Sequence, residues 1–224
     1  MLKAVIFDMD GVIVDTEPGY FYAINDFLAH FGKSIDKKFN ERLFGVSSKY
    51  AWEQIIEHTG LTDLTAQQGV EGMENEREKR LKKEGYQPID GTIALIKSLS
   101  EKKIPIAVAS SSPIKEIDRV MDVLNLRSYF QSIVSGSDEC KNAKPFPDVF
   151  LKAAQKLGVD PKHCLVIEDS DNGALAAKRA GMKVIGYQNQ KYGNQKLKDA
   201  DYVVTDMKDV TYDLCKKVRD ADEI

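Results

Sequence analysis

Cysteine and histidine are scarce in this 224-residue chain, with three of each. Cys140, Cys164 and Cys215 lie far apart and in no metal-ligand spacing, which excludes a disulfide scaffold and a thiolate metal centre. They are read as structural or incidental residues of a reduced protein. His30, His58 and His163 have no partner spacing either, so none is assigned a catalytic role. An excess of one charge sign is also missing: 32 Lys and Arg against 35 Asp and Glu leave a formal net charge of −3. Such a chain has no global field for gathering nucleic acid or an anionic membrane, and any anion must be captured locally. No apolar stretch approaches the length of a bilayer span, and the first residues run directly into a strand-like segment instead of a basic and then apolar secretion signal. A cytoplasmic location is therefore expected, with no membrane or nucleic-acid partner. Internal repeats and low-complexity tracts are absent as well. The length allows one large domain or two unequal ones, and nothing points beyond a monomer.

What the chain does have is a series of short, β-branched apolar runs: residues 4–7, 104–110, 132–136, 164–169, 183–187 and 201–204. Each reads as a buried strand. Helical spacing lies between them, as in Ile117, Val120, Met121 and Leu124, and again in Phe150, Ala153, Ala154 and Leu157. Strand alternating with helix predicts an α/β fold, a doubly wound parallel sheet whose ligand crevice lies at the carboxyl ends of the strands. Residues 17–88 break the alternation. Ile24, Phe27, Leu28 and Phe31 form one apolar stripe and Trp52, Ile55, Ile56 and Thr59 another, with no convincing strand between. A helical module inserted after the first strand is predicted over 17–88, with 1–16 and 89–224 forming the sheet domain. The charge run over 71–85 reads as a solvated helix face, and the last ten residues as a fraying end.

Polar residues cluster where the strand-like runs end. Asp8 and Asp10 follow the first, Ser110, Ser111 and Ser112 end or follow the second, Glu168 and Asp169 end the fourth, and Lys144 lies in the "AKPFP" segment before a helix. In a parallel sheet these tips converge on one rim. Close carboxylates either share a proton or bind a cation, and an oxygen-only cluster with few protein ligands suits Mg²⁺. The metal and Lys144 would then receive a phosphate, with the Ser110 hydroxyl and the backbone N–H groups around Asp10, Gly11 and Ser111 as donors. Gly11 would permit the close backbone approach. Asp8, at the strand tip, is the candidate nucleophile on phosphorus, and Asp10 the candidate acid/base. A Ca²⁺ loop is excluded, because its glycine falls at another position and a helix would have to precede it. Ser112 before Pro113 reads as a helix N-cap, and "EDSDNG" as a turn that opens a helix under Asp or Ser capping.

The ordered set "DMDGVIVDT", "ASSS", "KPFPDVF" and "IEDSDNG" resembles the haloacid dehalogenase superfamily, in its branch of sugar phosphatases and β-phosphoglucomutases with a helical cap. The resemblance covers almost the whole chain. It implies a Rossmann-like core, Asp8 as nucleophile, Asp10 as general acid/base, and Ser110 and Lys144 as phosphate ligands. It also implies a Mg²⁺ shell of Asp8, Asp169, Glu168 and the backbone carbonyl of Asp10, with Asp15 and Thr16 at the cap hinge. Mutases of this branch carry a histidine just after the hinge and an arginine after G-V-S, where this chain has Tyr20 and Ser48. Lys49 could stand in for the arginine only as a point charge. "ASSSP" and "DTEP" are also more like the hexose- and hexitol-phosphate phosphatases. The expected activity is thus hydrolysis of a small phosphorylated substrate, with mutase phosphotransfer as the alternative. A phosphoacceptor signalling domain would use similar strand-tip residues, but the inserted module and the first-strand aspartate pair argue against it.

Overall fold

The run Ala4–Phe7 forms β1, buried at all four residues. Continuous burial is what a parallel strand covered on both faces requires. A computed structural model of the chain describes residues 1–43, 46, 48–190 and 195–221. After β1 come four helices, α1 (Glu17–Ala29), α2 (Lys37–Asn40), α3 (Ser48–Thr59) and α4 (Ala66–Glu84). The chain then continues through α5 (Thr92–Glu101), β2 (Ile106–Ser110), α6 (Ile114–Val123), β3 (Ser132–Ser135), α7 (Gly136–Glu139) and α8 (Asp148–Leu157). It ends with β4 (Cys164–Glu168), α9 (Asp171–Arg179), β5 (Lys183–Tyr187), β6 (Tyr202–Val204) and α10 (Tyr212–Asp220).

The six strands form one sheet in the order β3-β2-β1-β4-β5-β6, and every neighbouring pair is parallel. The expected doubly wound sheet is what the chain builds. Strand order reverses between β1 and β4, the place where such sheets open a crevice at the carboxyl ends. Phe7 pairs with Val108 on β2 and with Ile167 on β4. One residue further on, Asp8 and Glu168 are therefore level. Ala4, Ile6, Ala107, Ala109, Val166 and Val184 share a core with Phe150, Ala153 and Ala154 of α8 and with Ala174, Ala176 and Ala177 of α9. Alternation turns Val5, Phe7, Val108 and Leu165 to the other face, which α5 and α10 cover through β2, β4 and β5. Full burial of a side chain such as Ile6 or Phe7 contributes roughly 1.5–3 kcal/mol.

Two compact units divide the chain, Met1–Asp15 with Gln87–Ile224, and Thr16–Tyr86. The expected boundaries, 16/17 and 88/89, lie one and two residues away. Asp15 N–H donates to the Gln87 carbonyl at 2.8 Å and Ile89 N–H to that of Ile13 at 2.9 Å, so the two chain crossings pair with each other inside the sheet unit. In the helical unit Ile24, Leu28, Trp52, Ile55 and Met73 form a core of their own.

Three local readings are corrected. Phe31 does not continue the α1 stripe: the helix ends at Ala29, Lys33 N–H folds back to the Leu28 carbonyl, and Phe31 is 43% exposed. The charged segment of α4 is more than a solvated face. Met73 and Arg77 are buried, Arg77 lies 4.8 Å from the Tyr20 ring centroid, and Arg80 pairs with Asp26. The tail as far as Asp220 is helix α10, with Cys215, Val218 and Arg219 buried. Residues 222–224 of that tail, and residues 45 and 47 of the "GVSS" motif, lie outside the described set. All three cysteines are free thiols, and no helix of the described residues is long and apolar enough to cross a membrane.

The helical unit provides a packing test. Gly69 of α4 lies under Trp52 so closely that an added Cβ would sit 2.3 Å from the ring, whereas Gly19 of α1 has nothing within 4 Å. Alanine improves helix propensity by up to about 1 kcal/mol at either position, while overpacking a buried aromatic costs about 1–3 kcal/mol. Gly19→Ala is expected to leave the melting temperature equal or higher and Gly69→Ala to lower it, as read by thermal denaturation. A stabilised Gly69→Ala would overturn the packing account.

Candidate active site

Asp8 stands one residue beyond β1, and its N–H continues the ladder by donating to the Ile167 carbonyl at 3.0 Å. This bond fixes the carboxylate beside the end of β4. The chain then turns sharply, with the Met9 carbonyl accepting from Val12, Ile13 and Val14. Gly11 sits inside this turn at φ +79°, a conformation open to glycine at little cost. A Cβ on Gly11 would meet Asp169 Oδ2 at 1.9 Å, so the missing side chain is what lets Asp169 approach.

Lys144, from the loop before α8, places Nζ 2.6 Å from Asp8 Oδ1 and 2.6 Å from Glu168 Oε1. Its ammonium also lies 4.9 Å from the Phe150 ring centroid. The other oxygen of Glu168 accepts from Ser170 N–H at 2.7 Å and from Ser170 Oγ at 2.9 Å. Ser170 in turn caps α9 by accepting from Gly173 N–H, which bears out Ser capping in "EDSDNG". A Cβ on Gly173 would lie 1.8 Å from Glu168 Oε1. The carboxylate therefore lies across the first turn of α9, where the helix dipole favours it.

Asp10 goes elsewhere. Its Oδ2 accepts from Ser112 Oγ at 2.8 Å and from Ser110 Oγ at 3.3 Å. Two carboxylates only two residues apart thus have separate partners, because the turn at Gly11 redirects the second. The N-cap reading of Ser112 is corrected: α6 receives no cap from it, and Ile114 N–H donates to Asp138 Oδ2 at 2.8 Å instead. Ser112 is held in place by Ser135 Oγ, which donates to its carbonyl at 2.8 Å.

Charge dominates the group. Asp8, Glu168 and Asp169 each offer an oxygen, and all three lie within 4.8 Å of one another. Burial pushes Asp8 up to about 7; Lys144 opposes this, while Glu168 and Asp10 add to it. Asp169 is also raised well above the carboxylate range, first by burial and then by Glu168 and Asp8. Lys144 keeps its proton despite burial because Asp8 and Glu168 face it. Three carboxylates around one ammonium leave negative charge uncompensated in a buried place, and a donor set of oxygens alone fits a hard divalent cation. The side chain of Asp10 stands outside this set, so only its backbone carbonyl could join a metal shell.

Of the residues singled out as phosphate ligands, Ser110 is fully buried with its hydroxyl on Asp10, and Ser111 is exposed at the tip of β2. Gly11 differs from expectation, since its N–H already donates to the Val14 carbonyl at 2.8 Å and its contribution is space for Asp169. Asp15 ends one unit and Thr16 begins the other. The sequence reading missed Ser112, Gly173 and Phe150. A glycine inside a helical pattern signals close approach, and Gly173 carried that signal. The histidines are engaged elsewhere, His30 with Glu76, His58 stacked on Phe39 and His163 with Arg219.

Comparison with known proteins agrees with this geometry. The family model described as haloacid dehalogenase-like hydrolase matches residues 5–187. The chain is 34% identical to the phosphorylated carbohydrates phosphatase of Thermotoga maritima, over 82% of this chain and 84% of that protein. It is also 34% identical to the beta-phosphoglucomutase of Bacillus subtilis, over 95% of this chain and 93% of that one. Among solved structures, the beta-phosphoglucomutase of Clostridium difficile superposes with a TM-score of 0.76 at 28% identity, covering 100% of this chain and 99% of the other. With its parallel sheet, its rim of carboxylates around Lys144 and these matches, the chain belongs to the haloacid dehalogenase-like hydrolases.

Proposed function

We propose that this protein hydrolyses small phosphomonoesters, hexose or hexitol phosphates among them, in a Mg²⁺-dependent reaction through an aspartyl-phosphate on Asp8, in the cytoplasm. The observation that carries this reading is the separation of two neighbouring carboxylates, Asp8 at 2.6 Å from Lys144 and Asp10 at 2.8 Å from Ser112 Oγ. Asp8, Glu168, Asp169 and the Asp10 carbonyl would hold the metal, which when bound supplies positive charge to the phosphoryl oxygens and to the carboxylates around it.

The residues of the chain then divide the work. An Asp8 oxygen attacks phosphorus, and the P–O bond to the sugar oxygen breaks. Lys144, already beside Asp8, faces the charge that the phosphoryl group brings. Asp10 gives its proton to the departing alkoxide and later takes one from the water that cleaves the acyl phosphate, which frees inorganic phosphate and restores Asp8. Both serine hydroxyls donate to Oδ2 of Asp10, so Oδ1 is the oxygen free to carry that proton.

Phosphotransfer between C1 and C6 of a glucose phosphate is the second reading, favoured by the beta-phosphoglucomutases among the relatives. Against it stand Tyr20, which holds the place of the mutase histidine and packs under Arg77, and Ser48, which holds the place of the arginine.

Phosphate release from a sugar-phosphate panel in Mg²⁺ buffer tests the mechanism. Asp8→Asn is expected to abolish turnover and Asp10→Asn to lower it by about 10²–10⁴-fold, both with unchanged circular dichroism; full activity of either variant, or of chelated enzyme, would refute it. Product identity separates the two reactions. With β-glucose 1-phosphate and a trace of the bisphosphate, free phosphate is expected, and accumulation of glucose 6-phosphate would instead establish the mutase.

Metal removal has a pH signature. Asp8 and Asp169 take up protons more readily folded than unfolded, so the metal-free protein loses stability as pH rises from the ordinary value of 3.8 through about 7. Chelated protein is expected to melt lower at pH 8 than at pH 5, and added Mg²⁺ to raise the melting temperature more at pH 8. An equal Mg²⁺ effect at both pH values would contradict the charge argument.

A further inference from the structure

Among the described residues the Ser112 hydroxyl has one partner, Oδ2 of Asp10 at 2.8 Å. A serine just before a helix ordinarily caps it, but α6 takes no side-chain cap from this serine, and its first N–H, that of Ile114, goes to Asp138 Oδ2. The hydroxyl is thus released from the structural task that its place in the sequence suggests.

The backbone around it is tied down independently. Ser112 N–H donates to Ser110 Oγ at 3.0 Å, and the Ser112 carbonyl accepts from Ser135 Oγ at 2.8 Å. Ser135 pairs with Ser110 across β2 and β3, is wholly buried, and also caps α7 by accepting from Asp138 N–H at 3.1 Å. Pro113 follows at φ −59°, the value that its ring fixes. The ends of β2 and β3 therefore set the position of Ser112, and all of these bonds run through its backbone. Truncation of its side chain leaves them in place.

Asp10 needs an anchor. The terminal torsion of an aspartate is broad, with no sharp staggered wells, and this carboxylate is only partly buried, so packing fixes its plane poorly. The two serines that hold it are not equivalent, with Ser112 Oγ at 2.8 Å and Ser110 Oγ at 3.3 Å. A hydroxyl has one proton to give. In the proposed reaction Ser110 gives its own to the phosphoryl group, and Asp10 then keeps Ser112 alone.

We propose that Ser112 is the positioning residue of the acid/base: its hydroxyl holds Oδ2 and thereby turns Oδ1 of Asp10 toward the oxygen of the departing sugar. This rests on the assignment of Asp10 made above. Ser112 acts only through Asp10, so its effect falls on kcat and on the steps that move a proton. Misplacing a reacting group by 1 Å costs up to about 10²-fold in rate.

The test compares Ser112→Ala, Asp10→Asn and the double variant on glucose 6-phosphate, fructose 1-phosphate and p-nitrophenyl phosphate. Ser112→Ala is expected to lower kcat on the sugar phosphates about ten- to a hundredfold with KM within about twofold. In the Asp10→Asn background the same substitution is expected to cost less than about twofold, because residues that act as a unit are not additive. p-Nitrophenolate departs without a proton, so its pre-steady-state release is expected to stay within about twofold of the wild-type rate in Ser112→Ala, whereas a general defect of the fold would slow all three esters alike. Wild-type kcat in Ser112→Ala, an additive loss in the double variant, a raised KM, slowed nitrophenolate release, or failure of Ser112→Ala to fold by circular dichroism would each overturn the role of Ser112 and leave that of Asp10 standing. Full activity of Asp10→Asn, or no phosphate release from the sugar phosphates by the wild-type protein, would overturn the mechanism itself and this role with it.

Discussion

A single desolvated ammonium lies between two desolvated carboxylates, and much of the sheet rim is arranged around it. Lys144 reaches Asp8 and Glu168 at the same 2.6 Å, a geometry in which paired buried charges can recover the cost of leaving water. Removing either partner would leave the other buried alone. The pairing also explains residues that take no direct part in it. Ser170 holds the far oxygen of Glu168, Gly173 leaves room for that carboxylate over the helix, and Gly11 leaves room for Asp169. Together they bring three carboxylates to a place that holds one ammonium.

The fold supplies the alignment and the turn supplies the difference. Parallel pairing of β1 with β4 sets Asp8 level with Glu168 without help from any side chain. Had the strand continued, Asp10 would have projected to the same side as Asp8 and into the same cluster. The turn around Met9, closed through Gly11, sends it to the serines at the end of β2 instead. Carboxylates with separate partners can have separate proton affinities, and this is the requirement for one to remain a nucleophile while the other exchanges protons.

Much of this was legible in the sequence, for reasons that also set the limit. Six runs rich in β-branched residues declared six strands, because a strand buried on both faces must be apolar throughout, and the polar residues that end or follow the first, second and fourth runs marked the rim. The four separated stretches were correctly expected to meet. What local pattern could not show was direction. Ser112 has the sequence of a helix cap, and only the path of α7, which brings Asp138 to Ile114, releases its hydroxyl for Asp10. Gly11 was read as a donor to phosphate, but its N–H closes the turn. Cys215 and Val218 form too short a stripe to mark α10 as a packed helix, and Arg77 looked like surface until the Tyr20 ring covered it.

Net charge concealed the most about this molecule. A value of −3 spread over the chain suggests an electrostatically bland protein, yet the two ends of one strand carry opposite signs. β4 starts beside Lys162 and His163 and ends in Glu168 and Asp169. Neither end follows from the strand itself, whose residues up to Ile167 are apolar and wholly buried. The length of the strand separates the two ends by roughly 15 Å, and outside the protein salt screens exposed charges over about 8 Å at physiological ionic strength. Averaging over composition erases the acidic rim and the basic one alike, because it reports only their sum.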